Sequence, residues 1–211
     1  QPVSLDLLAQ FKRKNPHIHV IQDCAHSFFC ESNGTSVHKE GIAAVYGLNF
    51  SKTLTSVFGG MITTDDEQLF RKINSVKEEL IKPHTTFKAL RRRFYYIAGL
   101  SGLSSSVYGL TKKLENIGIL DQFTKYYSED EIDMPNDYLT SLTPFEANVG
   151  LRQCKKYHER IKARRNVALL YDHYLKEHSN IKKPRIEKGH TYSHYTILVD
   201  QRDKYIKAAA N

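Results

Sequence analysis

Leu5, Leu8 and Phe11 fall on one helix face, Leu7 widens it, and the spacing predicts a helix over 4–14. Ser4 suits its N-cap, Asp6 its first turn, and Asn15-Pro16 its end. The pattern then changes to short apolar runs bounded by turn residues. His19-Val20-Ile21, the run 42–48 and Met61-Ile62-Thr63-Thr64 are of this kind, and such runs are what buried parallel strands look like. Residues 24–31 read as a short helical or irregular connection, and Ser32-Asn33-Gly34 as a turn. Asp65-Asp66-Glu67 precedes a helix over 68–80, with Leu69, Ile73, Val76 and Leu80 on one side and Pro83 beyond its end.

Between Phe94 and Thr111 the chain carries no charge, while Arg91-Arg92-Arg93 and Lys112-Lys113 flank the stretch. Its length approaches a membrane span, but four serines and three glycines argue against one. The reading that fits is a helical hairpin packed on protein. The competing reading is a peripheral membrane contact, with Tyr95, Tyr96 and Tyr108 at the interface. Residues 130–137, with Met134-Pro135-Asn136, read as a loop returning to the main body. Thr143-Pro144 opens another helix with proline at its first position, and Phe145, Val149, Cys154 and Tyr157 mark its buried side. A further helix over 160–177 carries Ile161, Val167, Leu170, Tyr171 and Tyr174, with its charges facing water. Residues 181–184 look like a linker. The alternation over 192–199 predicts a half-buried strand, and 202–210 a last helix.

The chain has 211 residues, enough for one large domain or one and a half, and 40% of them are hydrophobic. Thirty-one Lys and Arg stand against 23 Asp and Glu, a formal charge of +8. Such a balance suits nucleic acid, a membrane surface or anionic small molecules. No RRM, KH or helix-turn-helix signature accompanies the basic clusters, so nucleic acid is set aside. Cys24, Cys30 and Cys154 lack metal-ligand spacing and read as reduced thiols of a cytosolic protein.

Candidate chemistry sits at the ends of the apolar runs. The first delivers Asp23 and then His26; the second delivers Ser51 and Lys52. Ligands in open α/β sheets bind outside the carboxyl ends of strands. Taken singly, each residue has a plain explanation. An aspartate at a strand end caps the next helix, a histidine three residues on sits in core or surface, a serine caps a turn, and a loop lysine is a solvated charge.

Read together, D-C-A-H-S, N-F-S-K-T-L-T and G-G-M-I-T-T-D-D-E resemble the DegT/DnrJ/EryC1/StrS family of pyridoxal-phosphate (PLP) sugar aminotransferases. Downstream, L-T-P-F-E-A-N-V-G-L-R-Q followed by R-I-K-A-R-R-N resembles the helix that begins the family's small domain. The resemblance covers most of the chain and is weakest over 82–136. It implies an α/β fold of the fold-type I PLP-transferase class: part of the large-domain sheet over 1–81, a helical insert over 82–137, and the start of an α+β small domain over 138–211. It implies that Asp23 pairs with the cofactor's pyridine nitrogen, that His26 packs on the ring face, and that Lys52 binds the cofactor covalently and is the catalytic base. Ser51 becomes a candidate donor to the cofactor phosphate, and no metal is implied.

The implied reaction moves an amino group from an amino acid, with glutamate the expected donor, to a nucleotide-linked keto-sugar. It serves polysaccharide or amino-sugar biosynthesis, in a cytoplasmic homodimer with sites at the subunit interface. Lys52 speaks against the family's dehydratase branch, which has histidine there. Two departures touch the site. Gly47 stands where the family usually has a phosphate-binding serine, and Val57-Phe58 where it favours Gly-Glu. The family's phosphate-binding turn and second ring-face aromatic, which lie near its N-terminus, are not found in the 211 residues, so the chain reads as a fragment of a longer enzyme. Two alternatives stand beside this reading. One is another fold-type I activity. The other is a non-catalytic, regulatory or membrane-associated protein that keeps the fold, with contact at the inner membrane through the uncharged stretch.

Overall fold

A computed structural model describes residues 4–102, 104–117 and 137–209. The loop expected over 130–137 lies outside them except for Asp137. In chain order the elements are α1 (Leu5–Lys14), β1 (Ile21–Asp23), β2 (Glu31–Ser32), β3 (Thr35–Ser36), a 3-10 turn (Val37–Glu40), β4 (Ala43–Gly47) and β5 (Gly60–Thr63). There follow α2 (Glu67–Leu80), α3 (Thr86–Gly102), α4 (Tyr108–Asn116), α5 (Pro144–Lys155), α6 (Tyr157–Tyr174), β6 (Ile181–Lys182), β7 (Leu198–Val199) and α7 (Arg202–Ala209). Two compact units divide the chain: residues 1–70 with 150–211, and residues 71–149.

The first unit is built on a three-stranded sheet in the order β1-β4-β5. β1 runs parallel to β4, with Asp23 opposite Val45. β5 runs antiparallel to β4, and Met61 and Ile62 are exposed. The expected parallel pairing thus holds for β1 and β4 and fails for β5, and the expected burial holds for β4 but not for β1, where only Gln22 is buried. The physical reason for the antiparallel β5 lies in the connection: the residues between β4 and β5 contain no helix, the usual crossover element of a parallel return. β1 also begins two residues later than the run 19–21 suggests.

Local signals account for several boundaries. The Ser4 hydroxyl accepts from the Leu7 amide, and the Asn15 amide donates to the Phe11 carbonyl at the far end of α1. Asn33 and Gly34 have φ of 52° and 78°, the left-handed pair that closes a two-residue hairpin between β2 and β3. Asp66 caps α2 by accepting from the Gln68 and Leu69 amides, each at 2.9 Å.

Two small cores lie in this unit. Leu48 and Leu54 pack with Tyr157 and Ile161; Cys24, Ala44 and Tyr46 form the second, and the half-buried Phe28 touches both. Here α6 departs from expectation. It buries Tyr157, Ile161 and Ala168, whereas Val167, Leu170, Tyr171 and Tyr174 are exposed. Its charges do not all face water: Arg164 and Arg165 donate to backbone carbonyls of His190, Tyr192 and Ser193. Cys154 is exposed rather than buried. The first half of the linker expected over 181–184 is strand β6, Ile181–Lys182, paired antiparallel with β7. The strand expected over 192–199 shrinks to Leu198–Val199. Arg164 occupies the Tyr192 and Ser193 carbonyls that a sheet would need, and Tyr192, at φ 45°, breaks the extended run.

The second unit contains the helical hairpin, α3 followed by α4, in which the Thr111 hydroxyl donates to the Gly102 carbonyl at 2.9 Å. No helix among the described residues is long and apolar enough to cross a membrane. The basic run opening α3 is partly internal. Lys88 and Arg92, one turn apart, are 7% and 5% exposed. The Lys88 ammonium donates to the Thr140 and Ser141 carbonyls, each at 3.2 Å, and to the Thr140 hydroxyl. Burial pushes its pKa below the ordinary lysine value, while Asp137 and Glu146 pull it back up. Arg92 pairs with Asp137 at 2.8 Å and lies 3.3 Å from Glu146. Glu146, fully buried, also accepts from the Thr143 amide at 2.9 Å, and the Thr143 hydroxyl accepts from the Glu146 amide at 3.2 Å. That reciprocal pair is a capping box opening α5, with Pro144 at its first position.

Candidate functional site

Because β1 and β4 are parallel neighbours, their carboxyl ends lie at one edge of the sheet. The Cys24 amide extends the ladder by donating to the Val45 carbonyl at 2.8 Å. Asp23, the last residue of β1, accepts from the Ala25 amide at 2.9 Å and so turns the chain sharply. The turn presents His26, whose side chain is exposed.

Lys52 arrives from β4. Its amide donates to the Asn49 carbonyl at 2.9 Å, and its Nζ lies 2.8 Å from His26 Nε2. An ammonium has only donors, so His26 accepts here as a neutral imidazole. Its pKa is held below the ordinary histidine value by partial desolvation, then by Lys52 and His194, against the opposing pull of Asp23. The Lys52 stem crosses Gly47: a Cβ at that position would lie 3.3 Å from Lys52 Cε and 3.6 Å from the Ala25 Cβ. Ser51, the remaining sequence candidate, is exposed beside Lys52. Asp23, His26 and Lys52 therefore gather at one sheet edge, and the side chains of His26 and Lys52 meet.

The loop carrying Lys52 is anchored on both sides. The Leu48 amide donates to Gly59, the Ser56 amide to Leu48 at 2.9 Å, and the Thr55 hydroxyl to Leu48 at 3.0 Å. Gln153 accepts from the Thr55 amide at 3.4 Å and from Arg160 at 2.7 Å. Val57, completely buried, holds φ 77°, a conformation that β-branched residues rarely adopt. This is one of the two positions that departed from the family pattern.

One neighbour of the site was missed by sequence reasoning. His194 lies with its ring edge-on to His26, centroids 5.4 Å apart. The alternation around it signalled a strand, and no local signal tied it to a turn 168 residues earlier.

The chain is 25% identical over 201 residues to an uncharacterized protein of Methanocaldococcus jannaschii, covering 94% of this chain and 43% of that protein. It is 22% identical over 191 residues to the spore coat polysaccharide biosynthesis protein SpsC of Bacillus subtilis, covering 90% and 40%. Among solved structures, Helicobacter pylori PseC, an aminotransferase involved in the biosynthesis of pseudoaminic acid, superimposes with a TM-score of 0.63 at 16% identity. That match covers 98% of this chain and 44% of PseC. The Escherichia coli GDP-4-keto-6-deoxy-D-mannose-3-dehydratase with bound hydrated PLP gives 0.66 at 14% identity, covering 99% and 48%. The chain thus spans less than half the length of these relatives, and its α/β architecture is part of the fold-type I class. The sequence matches the DegT/DnrJ/EryC1/StrS aminotransferase family over residues 1–210, and the chain belongs to that family.

Proposed function

We propose that the protein is a PLP-dependent aminotransferase that moves an amino group from an amino acid to a nucleotide-linked keto-sugar. The observation that carries this reading is the meeting of Lys52 Nζ and His26 Nε2 at 2.8 Å, on the edge where β1 also ends in Asp23. A carboxylate, an imidazole and a primary amine at one sheet edge are the donor set that PLP chemistry uses, so these residues fit the group. When bound, the cofactor supplies an electron sink for the carbanion formed at the amino-acid α-carbon.

The residues divide the work as follows. Asp23 would hold the proton on the pyridine nitrogen by placing negative charge beside it. His26, kept neutral, would lie on the ring face. Lys52 would bind the cofactor covalently, and its freed amine would move a proton at the substrate α-carbon. Ser51 is a candidate donor to the phosphate. Gly47 removes a hydroxyl that relatives place there and leaves room for the Lys52 stem. Glutamate is the proposed donor, amino-sugar or polysaccharide assembly the proposed setting, and a cytoplasmic homodimer the proposed form.

A second reading, a fold kept for binding at a membrane surface, is favoured by the exposed stripe Phe87, Leu90, Phe94 and Ile97 on α3, a helix without an acidic residue. The test is an absorption spectrum of the full gene product with added PLP, alongside Lys52→Ala. The transaminase reading expects a visible band that needs Lys52 and bleaches with glutamate. A spectrum indifferent to Lys52 contradicts it and leaves the binding role.

A further inference from the structure

The stretch 189–195 is irregular, yet it is held on three sides: by β2, by the turn that carries His26, and by α6. The Glu31 amide donates to the Gly189 carbonyl at 3.0 Å. A Cβ at Gly189 would lie 2.0 Å from the Glu31 oxygen, so only glycine admits this approach. The Thr191 side chain, 2% exposed, reaches back to the His26 carbonyl at 3.5 Å. Arg165 donates to the His190 carbonyl at 2.9 Å, and Arg164 to those of Tyr192 and Ser193, each at 3.3 Å. Tyr192 is buried in a left-handed conformation that a non-glycine residue adopts only when its surroundings enforce it. Contacts to Glu31, to the His26 carbonyl and to two arginines of α6 thus fix this strap, which carries His194 edge-on to the His26 ring at an interplanar angle of 63°.

We propose that the strap 189–195 is a wall of the cofactor pocket and that His194 is a positioning residue, setting the orientation of the His26 imidazole toward the cofactor ring. The inference rests on the cofactor reading given above. An imidazole on a Cβ–Cγ bond turns in a broad, roughly two-fold well, so its own rotamer does not fix its plane. Two side chains hold it here, Lys52 by hydrogen bond and His194 by ring contact. Covalent use of the Lys52 amine ends the first. His194 is then the neighbour that keeps the ring from turning. The titratable groups that face His26 are Lys52, His194 and Asp23; the first two disfavour its protonation and the third favours it.

The experiment uses the full-length protein with His194→Ala and His194→Phe. Two readouts are taken: the NMR titration of His26 in labelled, PLP-free protein, and the affinity for PLP. His194→Ala is expected to raise the His26 midpoint toward 6.5. It should also weaken PLP roughly threefold to tenfold, the size of one lost aromatic edge contact. His194→Phe keeps an edge on the ring and should bind PLP within about twofold of wild type, as a retained edge contact predicts. Unchanged titration and affinity in His194→Ala overturn the proposal. So does a His194→Phe protein as impaired as His194→Ala, because ring contact is then not what matters. If wild type itself fails to bind PLP, the cofactor reading falls, while the PLP-free titration still decides whether His194 governs His26.

Discussion

The Tyr157 hydroxyl donates to the Phe28 carbonyl at 2.6 Å, joining the first turn of α6 to the turn that carries His26. Tyr157 is 2% exposed, and burial lifts its pKa far above the ordinary tyrosine value, so the donor is present throughout the pH range of a folded protein. Tyr157→Phe should destabilise the protein by about 1–3 kcal/mol, because a carbonyl loses its partner. Tyr157→Ala should cost about 3–5 kcal/mol, because the Phe28 and Leu48 cluster also loses its centre. Urea unfolding of the two variants checks both the order and the size.

Acid should weaken the fold through two imidazoles. The pKa values of His26 and His190 are lowered in the folded chain, by burial first in each case. Below the ordinary value of 6.5, the unfolded chain then binds more protons than the folded one, and stability falls as pH falls. The loss ends once pH drops below the folded values. Thermal midpoints taken between pH 8 and 5 should decline on the acid side of 6.5, and the His26→Gln, His190→Gln double variant should flatten that decline. An unchanged slope would place the acid sensitivity elsewhere.

Glu146 serves two groups at once, the Thr143 amide and the Arg92 side chain. Glu146→Ala leaves buried positive charge with one acid fewer, and should cost about 3–5 kcal/mol. Glu146→Gln keeps an acceptor for the Thr143 amide but loses the charge, so it should fall between wild type and alanine. The ranking can be read from chemical denaturation. Equal losses in the two variants would mean that charge alone matters and the cap does not.

Val57 offers a reversal of the usual order of substitutions. Its φ of 77° carries a strain of about 1–3 kcal/mol for a residue with a Cβ, and its full burial contributes about 1.5–3 kcal/mol. Val57→Ala loses burial and keeps the strain. Val57→Gly loses burial and releases the strain. The glycine variant should therefore be the more stable of the two, close to wild type, which a pair of melting curves would show.

Features set by one or two adjacent residues were legible in the sequence. Ser4 before α1, Asp66 before α2, Asn33-Gly34 in the hairpin and Thr143-Pro144 before α5 all act through short-range hydrogen bonds or fixed dihedrals. The placing of Asp23, His26 and Lys52 at strand ends was legible for the same reason, since apolar runs stop where backbone ladders stop. What escaped depends on partners far away in the chain. Nothing near Lys88, Arg92 or Glu146 announces that three charged side chains share one buried network. The alternation at 192–199 obeys the period of a strand, but Arg164 claims the carbonyls of its first two residues, Tyr192 and Ser193. The direction of β5 escaped because a four-residue run with two apolar side chains, Met61 and Ile62, reads alike from either end.

The strand order β1-β4-β5 leaves two rims on the sheet among the described residues. Ile21 on one and Ile62 on the other are 60% and 51% exposed. A rim of this kind is a template: its spare amides and carbonyls accept any extended segment, whatever its side chains. Growth of the sheet in either direction therefore requires no change at the Lys52 edge, and the same openness invites the isolated stretch to pair with copies of itself.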